Sequence, residues 1–523
     1  MSRAVYSVTP AGVPGSSVPQ SKGYLLFPFT WPHDGSRLKA GMTIRAGAAL
    51  LALALAGCSM EPKYLQPAAP VPPSWPVGDA YLANSEATLP AVTYRDIFRD
   101  ARLQALIARA LIENRDLRVA AANIRAAREQ YRIQRADRLP EIGTSAGATV
   151  SSGQRSSTGT NSGGTGARTS FSADVGITGF ELDLFGRVAS LTRAEQNRYF
   201  ATEAGARATW LTLVGDIADA WLRYAADASL LQIAQDTAGN AENSVRLTRA
   251  RLQGGVAPRT DLRQAEQVLE GARADLAEQR TALAQDINAL QLLIGAPVDL
   301  TLLPVSLDEA APTIAELPAG VDSSVLLRRP DVVQAEYSLR AANAGIGAAR
   351  AALFPRISLT GLLGLASNAL TGLFSGGGFN WSGGADASYS IFNAGAGRAN
   401  VRLTEAQREA AIATYERAIQ SAFREVADAL ARRGTITEQL RATQAQTDAA
   451  ADTFRLAEAR YRGGIDTFLS SLDSQRSLYS ARRTLVNTRL VQASNLVTLY
   501  RTLGGDSLLR ATPQGPEAAA TQP

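Results

Sequence analysis

The chain is written twice, and this duplication limits its possible folds more than any other feature. Asn114-Arg115-Asp116-Leu117 is followed by Leu139-Pro140-Glu141-Ile142, and Arg329-Pro330-Asp331-Val332 is followed by Phe354-Pro355-Arg356-Ile357. Asp116 lies 24 residues before Pro140, and Asp331 lies 24 before Pro355. Farther on, Arg251-Leu252-Gln253-Gly254-Gly255-Val256 matches Tyr461-Arg462-Gly463-Gly464-Ile465. Gly255 stands 40 residues before Gly295, as Gly464 does before Gly504. The offset between halves is 215 at the first landmarks and 209 at the second. The six-residue difference therefore falls between them, in a region with a Gly/Ser/Thr-rich loop. Each half is one supersecondary unit built to the same plan.

Each half reads as helix, strand, loop, strand, long helix, tight turn, helix. A first helix is expected from about Arg102 to Leu139, rich in good helix formers, with Pro140 ending it. The long helix is expected from about Val188 to Gln253, which is roughly 100 Å at 1.5 Å per residue. Along it Trp210, Ile217, Tyr224, Leu231, Ala238, Val245 and Leu252 recur every seven residues. Val214, Trp221 and Ala228 fill the other seam position, which is coiled-coil packing. The second half carries Ile419, Val426, Leu440, Phe454 and Tyr461, with Arg433 and Thr447 interrupting. Two shorter helices laid end to end roughly match one long one.

Four stretches alternate with period two: about 141–152, 170–180, 356–366 and 381–391. Phe171, Ala173, Val175 and Ile177 alternate with Ser170, Ser172, Asp174, Gly176 and Thr178. Ile357, Leu359, Gly361, Leu363 and Leu365 form another apolar row, and Trp381 to Ile391 a third. A half-buried soluble sheet shows the same alternation, but the lengths suit tilted membrane strands. Four strands cannot close a barrel, and an open edge in lipid leaves backbone groups unpaired. Copies must then pool strands. Two copies give eight strands, whose lumen side chains fill, and three give twelve with a wider lumen.

The N-terminus is an address. Arg45 to Cys58 reads RAGAALLALALAGC, a positive residue before a short apolar run ending in small residues. That is a signal peptide over residues 1–57, with Met42 as an alternative start, and it is too short to span a membrane. Leu55-Ala56-Gly57-Cys58 resembles the bacterial lipobox, which implies acylation of Cys58 and anchoring by two or three chains. The alternative is a thiol buried after an apolar helix. Ser59 follows where an Asp would favour the inner membrane, so the outer membrane is expected. Residues 58–76 form the anchor and a tether, with Pro at 62, 67, 70, 72, 73 and 76 making it extended and semi-rigid.

Composition removes other classes. Charged residues are 19% of the 523 and the net charge is +5, but the Arg residues are spread among Asp and Glu along helices. A nucleic-acid footprint needs clustering, so no nucleic acid is expected as a partner. The one His (His33) and one Cys (Cys58) both lie in the leader region. No metal site, cofactor or enzyme activity is expected, since ordinary metal sites need three or four ligands.

In this order the motifs resemble the outer-membrane factor family, the TolC/NodT-type channels of tripartite efflux pumps. The markers are the lipobox and Pro-rich tether, Phe180-Glu181-Leu182-Asp183-Leu184-Phe185-Gly186-Arg187, Ser390-Ile391-Phe392 with Gly395 and Arg398, and the turns Gly254-Gly255 and Gly463-Gly464. The likeness divides the chain into a first repeat at 77–310, a second at 311–505 and a tail at 506–523. It implies a mostly α fold with a membrane β part: a homotrimer forming a twelve-stranded barrel continued by a twelve-helix tunnel. It implies a mixed region near the waist, from about 77–100, 297–325 and the chain's end. Its partners would be outer-membrane lipid, a periplasmic adaptor and an inner-membrane transporter of the RND type, and its work passive export of drugs or metal ions. Tyr461 to Arg476 matches the family's aperture segment. Carried over, Leu469 and Asp473 form the constriction, and Tyr461 and Arg476 the latch; a ring of carboxylates would attract cations. In the first half Gln264 and Gln267 stand at the positions of Asp473 and Arg476, Thr260 at that of Leu469, with Asp261 beside it. The rival readings are a type I protein secretion channel and a non-pore periplasmic coiled-coil scaffold.

Overall fold

Alanine, leucine, arginine and glutamine crowd both sides of each Gly-Gly turn, and such residues lose little rotamer freedom in a helix. The computed structural model describes residues 59–519 apart from 77, 79, 82–92, 153–166, 317–322 and 376–377. Cys58 and the leader, including Met42, lie outside the described residues. The first repeat holds α1 (Ala101–Glu113), α2 (Arg115–Ala136), β1 (Ile142–Ser152), β2 (Ala167–Glu181), α3 (Arg187–Gln253) and α4 (Arg259–Ile294). The second holds α5 (Pro330–Ala351), β3 (Arg356–Ser367), β4 (Phe379–Ser388), α6 (Ala396–Arg462) and α7 (Phe468–Thr502). The stretch read as a tail forms a hairpin, β5 (Leu509–Thr512) and β6 (Gly515–Ala518). Arg115 and Pro330 open equivalent helices at the offset of 215, and Arg187 and Ala396 open the long ones at 209.

The helices form an open layer. At the strand end α2 lies on α3, α3 on α5 and α5 on α6; at the turn end the order is α4, α3, α7, α6. Each long helix of 67 residues therefore runs beside two stacked short ones. The seam of α3 beyond its middle is Ala234, Ala238, Ala241, Val245 and Thr248, in steps of four and three. This corrects the heptad reading: Leu231 and Leu252 are only half-buried, and the second seam position shifts to 234 and 241. In α6 Thr447 is no interruption; it is buried, and its hydroxyl donates to Thr443 O at 2.8 Å.

The expected single helix from Arg102 to Leu139 is two helices. At Asn114 the backbone turns extended (ψ 137°), its Oδ1 caps Leu117 N, and its Nδ2 donates to Leu293 O at the end of α4 (2.6 Å). The equivalent Arg329 donates to Thr502 O at the end of α7 (2.7 Å) and pairs with Asp331 and Glu425. Leu293 and Thr502 are themselves 209 apart. One side chain thus clasps the end of the stacked partner in each repeat, with an amide in the first and a guanidinium in the second. The helix also stops at Ala136, before Pro140 is reached.

The strands form one antiparallel sheet in the order β1-β2-β3-β4, leaving β1 and β4 as edges. Thr144, Val175, Leu363 and Trp381 line up across it on one face, and Ser145, Asp174, Gly364 and Asn380 on the other. Two strand readings are corrected. In β2 a bulge sets Thr178 and Gly179 against Thr360, so Phe180 joins the apolar row beside Leu359 and Glu181 the polar one. β4 begins at Phe379 and ends at Ser388, leaving Tyr389 and Ile391 outside the ladder. Just beyond, Ala394 (φ 51°) and Gly395 (φ 83°) turn the chain left-handed into α6. Among the described residues no helix is long and apolar enough to cross a membrane.

A belt packs around the middle of the long helices. Trp75 stacks on Phe423 at 4.9 Å, Phe98 meets Tyr500 edge-on at 5.3 Å, and Phe98 bridges Ile314. The Tyr337 hydroxyl donates to Thr512 O (2.8 Å) and accepts from Thr512 N (2.9 Å), pinning the C-terminal hairpin to α5. The Pro-rich tether does not hang free. Arg193 holds Glu61 (2.5 Å), Asn343 donates to Pro62 O (2.8 Å), and Gln66 donates to the Tyr415 hydroxyl (3.0 Å).

Candidate functional site

The turn end of the helices is built by glycine geometry. Gly255 (φ 72°) and Gly464 (φ 73°) are left-handed, a conformation glycine adopts without the Cβ penalty. Val256 N bonds Arg251 O (2.9 Å) and Gly255 N bonds Leu252 O (3.0 Å), and Ile465 and Gly464 repeat this on Arg460 O and Tyr461 O. Gly254 and Gly463 precede them with right-handed φ of −78° and −74°. These are paired Schellman caps. Val256 and Ile465, which in such caps often pack back on the helix, are each 69% exposed.

Behind the turns, Ala241, Val245, Ala265, Leu269, Tyr461, Phe468 and Leu472 form a small core that joins all four helices. Tyr461 is central to it. Its ring lies 5.3 Å from Phe468, and the Arg251 guanidinium sits 4.8 Å over its face while donating to Tyr461 O (3.0 Å). The Tyr461 hydroxyl is buried with no hydrogen-bond partner among the described residues. Asp466 pairs with Arg460 (3.3 Å); the Thr467 backbone N–H and Arg460 hold its carboxyl below the ordinary range. Thr467 caps α7 on Ser470 N. In the first repeat Pro258 stands at the cap without a side-chain bond, so the two turns differ chemically.

On α7, Phe468 and Leu472 point inward, while Leu469, Asp473 and Arg476 follow each other at steps of four and three along the outer stripe. Leu469 is 51% exposed, and the Asp473 and Arg476 side chains 64% and 55%. Asp473 and Arg476 stand 3.8 Å apart. The four expected gate residues therefore divide: three share an exposed stripe, and Tyr461 lies inside the bundle. Their first-repeat counterparts Thr260 and Gln267 are exposed and Gln264 is half-buried. Arg251 was not singled out from the sequence; its place one turn before Gly254, opposite Tyr461, is the signal that points to it.

The strand end has its own conversion point. Phe185 stacks on Phe354 at 4.6 Å, and Arg187 grips Glu181 with bonds of 2.7 and 2.5 Å where β2 passes into α3. Phe379 and Trp381 are 65% and 73% exposed on the apolar face. Among the described residues no group of three or more His, Cys, Asp or Glu could hold a metal.

The sequence profile described as outer membrane efflux protein matches residues 106–296 and again 322–505, one match to each repeat. The chain belongs to the outer membrane efflux protein family. Two curated relatives from Pseudomonas putida are a probable efflux pump outer membrane protein, TtgC, and an antibiotic efflux pump outer membrane protein, ArpC. Each is 44% identical over 464 residues, 87% of this chain and 94% of theirs. The solved open state of the MtrE outer membrane channel of Neisseria gonorrhoeae is 36% identical, with a TM-score of 0.76, covering 86% of this chain and 98% of that one. The efflux protein is thus an outer-membrane component of efflux, and the pore-free scaffold reading falls.

Proposed function

We propose that three copies of the efflux protein close into one passive channel, a twelve-stranded barrel continued by twelve helices. The observation that carries this is that both layers are open along matching borders. The sheet ends at β1 and β4, and the helical layer at α2 and, toward the turns, α4 on one side and at α6 on the other. No residue of α2 is buried, although its equivalent α5, sandwiched between α3 and α6, buries most of its length. Edge strands with exposed Val150, Phe379 and Trp381 need a covered and paired neighbour in lipid. Two copies would make an eight-stranded barrel that side chains fill, and three leave a lumen. Electron microscopy of the detergent-extracted protein is expected to show threefold particles, and planar bilayers to show discrete conductance. A strictly monomeric, non-conducting protein would overturn the channel.

Cargo is read as small molecules rather than secreted protein, supported by the antibiotic efflux relative. The tether supports anchoring through an acylated Cys58: Ser59 accepts from Arg193 (3.1 Å), six residues, or about 9 Å, along α3 from its strand-side start. Energy comes from an inner-membrane RND transporter through a periplasmic adaptor docked on the helical tips. There Val256 and Ile465 offer apolar caps beside Gly254-Gly255 and Gly463-Gly464. Each such side chain is worth about 1.5–3 kcal/mol when covered. Val256→Asp with Ile465→Asp is therefore expected to weaken adaptor capture by roughly tenfold or more, with the melting temperature unchanged. Unaltered capture would move the docking site elsewhere. Leu469 and Asp473 form the constriction at the closed end, with Arg476 and Tyr461 holding it.

A further inference from the structure

The repeats share a backbone plan but not a charge plan, and one buried position shows the difference. Asp286 of α4 and Asn495 of α7 are 209 residues apart, the offset that relates the long helices. Both are buried, at 8% and 7% exposure. Asn495 donates its amide to Ala429 O of α6 at 3.0 Å. An ionised carboxylate cannot donate. Asp286 Oδ2 is buried and, among the described residues, accepts from no donor. Facing Asp286 from α3 are Asp227, within hydrogen-bonding reach, and Arg223, with Tyr224 close enough to feel its charge. Among the described residues no charged group of α1, the other helix against α4, acts on it. Burial first, and then the hydrogen bond and charge of Asp227, push the Asp286 carboxyl up to about 7.

We propose that Asp286 is a proton-operated catch between α4 and α3. Protonated, it donates to Asp227 and holds the first-repeat arm against the long helix, as Asn495 does for the second arm at every pH. Ionised, it repels Asp227 and loosens that arm alone. The sign follows from linkage. The closed arm binds the proton more tightly than the open one, where an Asp titrates near 3.9. Closure is therefore strongest in acid, weakens as pH rises toward 7, and has lost the contribution above it. Between pH 6 and 8 the opening equilibrium should shift by about tenfold.

Hydrogen–deuterium exchange of the full detergent-extracted protein, corrected for intrinsic pH dependence, tests this with the second repeat as internal reference. Protection of residues 283–294 is expected to fall about tenfold relative to residues 492–503 between pH 6 and 8. Asp286→Asn should abolish the fall, and Asp227→Asn should reduce it. The catch is overturned if the two segments keep a constant ratio in the unmodified protein, or if the fall persists in Asp286→Asn. Should that variant fold poorly, the unmodified protein and Asp227→Asn decide it.

Discussion

Asp473→Ala combined with Arg476→Ala is expected to raise the resting single-channel conductance by roughly 3- to 100-fold, the range that three weak exposed ion-pair contacts can supply. Both side chains lie on the exposed stripe of α7 with Leu469 and are more than half exposed in one copy, so among the described residues nothing covers them fully. In the proposed trimer that stripe would face the threefold axis and line the narrowest part of the tunnel. The same variant should lose cation preference, because the proposed ring of three carboxylates would be gone. Tyr461→Phe is a useful contrast. The Tyr461 hydroxyl is buried without a partner in one copy, while its ring packs on Phe468 and under Arg251. If the hydroxyl acts only in the closed trimer, Tyr461→Phe opens the channel without unfolding the tip. Unchanged conductance and selectivity in the double variant would sink the gate assignment, while threefold particles and any conductance at all would leave the channel standing.

Trp221→Ala is expected to destabilise the protein by about 3–5 kcal/mol, the range for emptying a buried aromatic site. Trp221 is fully buried on α3 among the large side chains of the main core. Its indole N–H donates to Leu302 O of the belt at 3.2 Å, and Arg102 covers its ring at 5.9 Å while pairing with Asp100 and Glu309 (2.8 Å each). Losing it leaves both a cavity and an unpaired belt carbonyl, so the belt should loosen from the long helix. Denaturant unfolding followed by far-UV circular dichroism checks this. Trp221→Phe, which keeps most of the volume and loses the donor, should cost about 1–3 kcal/mol. A loss below about 1 kcal/mol for Trp221→Ala would show that the belt is held elsewhere.

What was legible beforehand was local. A left-handed glycine at Gly255 and Gly464 needs no distant partner, and a seven-residue seam or a period-two strand is set by bonds between near neighbours in the chain. The family likeness rests on the same local signals, and the Leu469, Asp473 and Arg476 stripe follows from helical periodicity alone. The break at Asn114 was only half legible: asparagine is a favoured N-cap, but the second bond that fixes this one reaches Leu293, 179 residues away. Arg329 served only as a landmark for the repeat; its role depends on Thr502 and Glu425 arriving beside it. The bulge at Thr178 and Gly179 depends on the register with β3, and the burial of Tyr461 on the meeting of α3, α4, α6 and α7. The amino-acid sequence by itself determined the repeat, the elements and their periods, since these are written in intervals of a few residues. Tertiary structure alone decided how Asn114 and Arg329 clasp the stacked helices, which carboxyls face each other and which edges stay open, because hydrogen bonds and burial between remote segments exist only once those segments are packed.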